Sequence, residues 1–117
     1  MKTDLEKAKS CSAQFVLAIN DTLNVISGKW KLPIIGTLLY GEKRFKELER
    51  EVVGITPRML SKELKDLEMN GIVERTVYNT IPVKVEYKLT KSGNSLNEVI
   101  DPMIAWGLQH RKNVFGK

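Results

Sequence analysis

The sequence predicts a mainly α fold with one small β-hairpin, an α+β chain running helix, helix, helix, helix, hairpin, helix. Two changes of hydrophobic period predict it. Apolar residues recur at helical spacing from Phe15 to Leu67, alternate after Gly71, and return to helical spacing after Thr90. A third observation bounds the answer, because 117 residues suit a single domain with one modest core. The expected divisions are a flexible arm over 1–12, one domain with its dimerisation helices over 13–112, and a tail over 113–117.

Each element follows from residues with a local mechanism. The first ten, MKTDLEKAKS, mix acids and bases without periodicity and predict the arm. Phe15, Ile19, Leu23 and Ile26 then mark one helical stripe, and Gly28 supplies a left-handed stop. In KWKLPIIGTLLYG, Pro33 falls early, where a helix tolerates it. Ile34, Ile35, Leu38 and Leu39 make two adjoining stripes, so this helix should be largely buried. EKRFKELEREV carries Phe45, Leu48 and Val52 on one side and charges elsewhere, as a surface helix does. After the turn VGI, Thr56 is the N-cap and Pro57 the first helical residue. Leu60, Leu64 and Leu67 form the inner stripe until Asn70-Gly71. IVERTVY and VKVEYKL, joined by NTIP, read as a hairpin, with Val83, Val85, Tyr87 and Leu89 alternating with Lys84, Glu86 and Lys88. Finally Thr90 or Ser92 caps a helix with a stripe from Leu96 to Ile104, continuing through Trp106 and Leu108; Pro102 predicts a kink or division in it.

Composition narrows the partners. A hydrophobic content of 42% with 28% charged residues is that of a packed globular chain, and a net charge of +5 favours polyanions. The longest strongly apolar stretch, LPIIGTLLY, is far below the ~20 residues of a membrane-spanning helix. The N-terminus lacks a signal-peptide core, and a lone Cys11 cannot form an internal disulfide. A cytoplasmic protein without membrane association is expected.

Two helices joined by a turn containing Gly54 and followed directly by a hairpin give the order of a winged helix-turn-helix, which sets its second helix in the major groove of double-stranded DNA. At about 100° per residue, Arg58, Lys62 and Lys65 lie roughly 140° to 200° from Leu60, so all three point away from the core together. Residues 56–71 hold three bases and three acids, yet Glu63, Asp66 and Glu68 fall on the flanks. An acid on the outer face would repel phosphate, and Lys and Arg there neutralise it. Thr56 and Ser61 add hydroxyl groups, Lys84 stands by the hairpin loop, and Arg44 and Lys46 could meet the backbone from the preceding helix. Read singly, each of these is an ordinary surface residue; their sorting is what points to DNA.

The runs LNVISGKWKLPII, KRFKELER, GITPRMLSKELKDLEMNGIVER, PVKVEYKLTKSG and AWG, in this order, make the chain resemble the HxlR-type winged-helix transcriptional regulators of the wider MarR-like group over about residues 22–107. The resemblance implies a homodimer that binds DNA through Thr56, Arg58, Ser61 and Lys62 on the recognition helix and Lys84 on the wing. It also implies dimerisation through the first and last helices, where Phe15, Ile19, Leu96, Ile100, Met103 and Trp106 are the candidate contacts. Many members carry a redox-sensing cysteine where this chain has Leu17. Cys11 lies six residues upstream, beside Lys9, and is the candidate thiol for an oxidant here.

Other classes fit less well. His110 is the only histidine, which leaves little for a catalytic triad or, with one cysteine, a zinc site. No Gly-rich phosphate loop is present, so neither enzymatic activity nor a cofactor or metal is expected. The alternative is a winged helix used for protein contact, but such a helix would expose apolar anchors, and Met69 is the only outward one. A small-molecule effector could sit between the dimer helices and the DNA-binding body, with Trp30 and Trp106 as candidate walls.

Overall fold

The apolar stripes meet in one core. The computed structural model describes residues 3–116. Its elements are α1 (Asp4–Ser10), α2 (Ser12–Ile26), α3 (Lys31–Leu38), α4 (Phe45–Glu51), α5 (Pro57–Met69), β1 (Val73–Tyr78), β2 (Lys84–Leu89), α6 (Lys91–Ser95) and α7 (Asn97–Phe115). Ile34, Ile35 and Leu38 of α3, Leu48 of α4, Leu60, Leu64 and Leu67 of α5, and Val73 and Leu89 of the hairpin are all buried together. Each helix stripe therefore closes on its neighbours, and the mainly α fold with one hairpin is the observed one.

Local chemistry bounds α5 at both ends. The Thr56 hydroxyl accepts the Met59 N–H at 3.2 Å, and Pro57 follows at the first helical position. At the other end Gly71 takes a φ of +73°, its N–H donates to the Glu68 carbonyl, and the Ile72 N–H donates to the Leu67 carbonyl at 2.9 Å. Those two bonds make a Schellman closure, and its hydrophobic pair, Leu67 with Ile72, lies in the core. The chain then enters β1 in the register Val73↔Leu89 through Tyr78↔Lys84.

Three expectations need correction. The arm over 1–12 contains α1 from Asp4 onward: Thr3 caps it by accepting the Glu6 N–H, acids occupy its first turn and Lys7 and Lys9 its last, as the helix dipole favours. It buries nothing, so it left no apolar period to read; Met1 and Lys2 lie outside the described residues. The helix expected from Glu42 starts at Phe45, because Lys43 instead pairs with Tyr87 of β2 through two backbone bonds of 2.9 and 2.8 Å. The last helix divides at Leu96, not at Pro102, and α7 runs through Pro102 to Phe115 in the expected tail, whose Lys117 lies outside the described residues. Pro102 is exposed, so solvent can take the carbonyl it leaves free. Leu96 and Ile100, candidate dimer contacts, are partly buried against the chain's own core.

α6 is seated by a cap and a close approach. Thr90 caps α6 by accepting the Gly93 N–H at 3.1 Å, and its hydroxyl donates to the Gly71 carbonyl at 2.6 Å. This seats α6 directly on the chain leaving α5, and a Cβ on Gly93 would run into the Ile72 carbonyl and the Leu89 side chain. Gly93→Ala should therefore destabilise the fold by about 1–3 kcal/mol, the usual cost of forcing extra volume into a packed site. Urea unfolding measures it, and an unchanged midpoint would show that α6 can shift at no cost.

Candidate nucleic-acid interface

With Leu60, Leu64 and Leu67 inward, α5 turns Arg58, Ser61, Lys62 and Lys65 to solvent. Two of the three acids on its flanks, Glu63 and Asp66, are drawn the other way. Lys31 of α3 places its Nζ 2.7 Å from Glu63 Oε2 and 3.7 Å from Asp66 Oδ2, and the Lys31 and Glu63 side chains are only 13% and 14% exposed. This pair ties α5 to α3 and removes a carboxylate from the outer face. Lys62 is not wholly free: its Nζ lies 3.5 Å from Asp66 and 3.6 Å from Glu63. At 71% exposure its side chain can leave those partners for a phosphate at little cost.

Beside α5 the hairpin adds a cation that the sequence reading passed over. Arg75 of β1 stands opposite Tyr87, and both line a concavity of about 420 Å³ with Ser61, Lys65 and Glu68 of α5. Arg58, Lys65 and Arg75 have no carboxylate within ion-pair reach among the described residues. Arg75 was legible in principle, because alternation in IVERTVY puts it on the face of Val73 and Val77.

Lys84 sits on the opposite face of the hairpin. Its Nζ pairs with Glu86 at 3.0 Å and lies 4.7 Å from the Tyr78 ring centroid. The Glu86 carboxyl is held below the ordinary carboxylate range, first by a hydrogen bond shared with Glu42 and then by Lys84. Glu86 thus stays charged and keeps Lys84 engaged at neutral pH. Arg44 and Lys46 are exposed at the start of α4, where the Arg44 N–H donates to Glu47 Oε1 at 2.9 Å. Cys11 is a free, exposed thiol between α1 and α2.

Trp30 and Trp106, the candidate pocket walls, stand in different surroundings in the single chain. Trp30 packs on the core beside Gly54, whose φ of +92° makes the turn, while Trp106 is 67% exposed and stacks on His110. A cleft of about 790 Å³ lies elsewhere, lined by Pro33, Gly36 and Tyr40 at α3 and by Asn97, Asp101 and Ile104 of α7.

A helix-turn-helix whose second helix presents a sorted basic face beside a two-stranded wing defines a winged-helix DNA-binding protein. The chain belongs to the HxlR-like helix-turn-helix family, whose pattern matches residues 25–115. It is 43% identical over 103 residues to the uncharacterized HTH-type transcriptional regulator YtcD of Bacillus subtilis (strain 168), covering 88% of this chain and 82% of that one. The HTH-type transcriptional regulator YodB of the same organism is 41% identical over 91 residues, 78% of this chain and 81% of that one. Among solved structures, the redox regulator HypR in its reduced form superposes with a TM-score of 0.78 at 41% identity, covering 86% of this chain and 99% of that one. The protein is therefore a DNA-binding transcriptional regulator.

The Lys31 contact is the part of the site most open to direct test. Lys31→Ala leaves the largely buried Glu63 with only the longer 3.6 Å contact to the exposed Lys62, and should cost about 1–3 kcal/mol of stability, the usual cost of a poorly satisfied buried polar group. Glu63→Gln in the same background should recover part of the loss. Thermal unfolding of the single and double variants decides it, and a double variant no better than Lys31→Ala alone would mean that the pair does not hold α5.

Proposed function

We propose that the protein acts as a homodimer that sets two α5 helices into successive major-groove segments of an operator with inverted half-sites about one helical turn apart or more. Arg58, Ser61 and Lys62 reach base edges. Lys65 and Arg75 hold the phosphate backbone between helix and wing, with Thr56, Arg44, Lys46 and Lys84 as flanking contacts. The observation that carries this reading is the outer face of α5, whose cations point outward while Glu63 and Asp66 are held by Lys31.

Dimerisation draws on a separate observation. Phe15, Ile19 and Leu23 along α2 are each about half exposed, at 50%, 48% and 48%, and Met103 and Trp106 of α7 are exposed with them. The radius of gyration is 17.0 Å. A compact chain of this length would give about 13 Å. Two apolar helices standing off a small body are what a second copy would cover.

Binding to a duplex selected by the protein from a random-sequence pool tests the DNA contacts. Arg58→Ala should cost about 1–3 kcal/mol and relax specificity at one position, whereas Arg75→Ala should weaken all sequences alike and lower the salt slope by about 1. Wild type and both variants binding equally, without salt dependence, would end the reading. For the dimer, sedimentation should give two copies of the 13.3 kDa chain for wild type and one for Ile19→Lys. Identical mass for both proteins would place the interface elsewhere.

A further inference from the structure

The wing ends in apolar side chains that the chain leaves uncovered. Ile81 is fully exposed, and Val77 and Val83 are 53% and 63% exposed. Register sets Val77 against Val85, and alternation puts both on the face of Arg75 and Tyr87, with Val83 continuing that row toward the tip. Glu74 and Glu86 stand on the other face. From root to tip, the face turned toward α5 thus carries one cation and then apolar groups, with no carboxylate of the hairpin among them. The tip is also held in shape: the Thr80 hydroxyl donates to the Pro82 carbonyl at 2.7 Å, and the Thr80 N–H to the Tyr78 carbonyl at 2.9 Å.

Hairpin tips that only turn the chain favour Gly, Asn, Asp or Ser, whereas here three apolar side chains, Val77, Ile81 and Val83, stand exposed at one tip, and it is a group of this kind, not a lone residue, that marks a contact surface. Reach says for what. Arg75 faces α5 across their shared concavity, and three strand steps plus half of the loop carry the chain roughly 15 Å further, at about 3.3 Å per residue. A groove half a turn along B-DNA lies roughly 17 Å away, half of the ~34 Å repeat. With α5 in a major groove, a hairpin that continues along the duplex has the length to bring its tip to the adjacent minor groove, whose walls of deoxyribose accept apolar side chains.

We propose that Ile81, backed by Val77 and Val83, is an apolar minor-groove contact of this protein, an anchor that adds affinity without neutralising phosphate. The inference rests on the DNA-binding reading of α5 and assigns the wing tip a different physical role from Arg75 and Lys84. Its contribution depends on minor-groove shape and on exocyclic groups there, and is independent of salt.

The test compares wild type, Ile81→Ala and Ile81→Met on the selected duplex and on the same duplex with diaminopurine replacing adenine under the wing. That replacement adds an amino group to the minor groove and leaves the major-groove edge intact. Ile81→Ala should bind the selected duplex on the order of tenfold more weakly with an unchanged salt slope, and Ile81→Met should recover most of it. Diaminopurine should weaken wild type and leave Ile81→Ala little affected. Equal affinity of wild type and Ile81→Ala, or equal weakening of both by diaminopurine, overturns the proposal while leaving α5 recognition standing. That result, together with a protein partner bound by wild type and lost in Ile81→Ala, would reassign the tip to protein contact. A wild type that enriches no duplex at all overturns the DNA reading, and the wing contact with it.

Discussion

The rotation of α5 about its own axis is the constraint on which the rest depends. Leu60, Leu64 and Leu67 are buried to 2% exposure or less, and that burial admits only one orientation of the helix. Rotating it by half a turn would expose all three leucines, at about 1.5–3 kcal/mol each, and bury three cations instead. The cap at Thr56 and the Schellman closure at Gly71 determine where the helix begins and ends along that axis. Everything said of Arg58, Ser61, Lys62 and Lys65 follows from this one packing decision.

Electrostatics refines what packing decides. Lys31 draws Glu63 and Asp66 toward α3, so the same ion pair that steadies α5 also clears carboxylates from the surface it offers. The hairpin repeats the device, with Arg75 and Tyr87 on the side of α5 and Glu74 and Glu86 on the other. Two elements with different periods, 3.6 and 2, thus bring Lys65 and Arg75 to the same concavity, where Glu68 is the one α5 carboxylate among its lining residues. Lys84 shows the converse, a cation near the wing tip kept by its own neighbours, Glu86 and Tyr78.

The body that holds this surface is small, and the helices around it are long. α2 and α7 carry apolar residues that the described residues leave half exposed or more, and in the proposed homodimer the angle of α7 would set the distance between two α5 helices. The cleft between α3 and α7 lies at that joint, next to the α3 helix that Lys31 ties to α5.

Much of this was legible in the residues. The stripe on α5, its two caps and the alternation of the hairpin depend on contacts between near neighbours in sequence, and such contacts leave a period or a signature residue behind. The misreadings share a cause. α1 buries nothing and so has no period. Lys43 joins β2 by backbone bonds, which no side-chain pattern records. Leu96 and Ile100 lie on an apolar stripe wide enough to serve the chain's own core and an external surface, and composition does not divide such a stripe. By itself, then, the sequence determined the core helices, the hairpin, their order and the basic face of the recognition helix, because those are local. Only the tertiary structure decided which cations are free and which are spent on carboxylates, that Arg75 joins Lys65 beside α5, and that Ile81 stands bare at the tip. Those depend on side chains far apart in the chain meeting at a few ångströms.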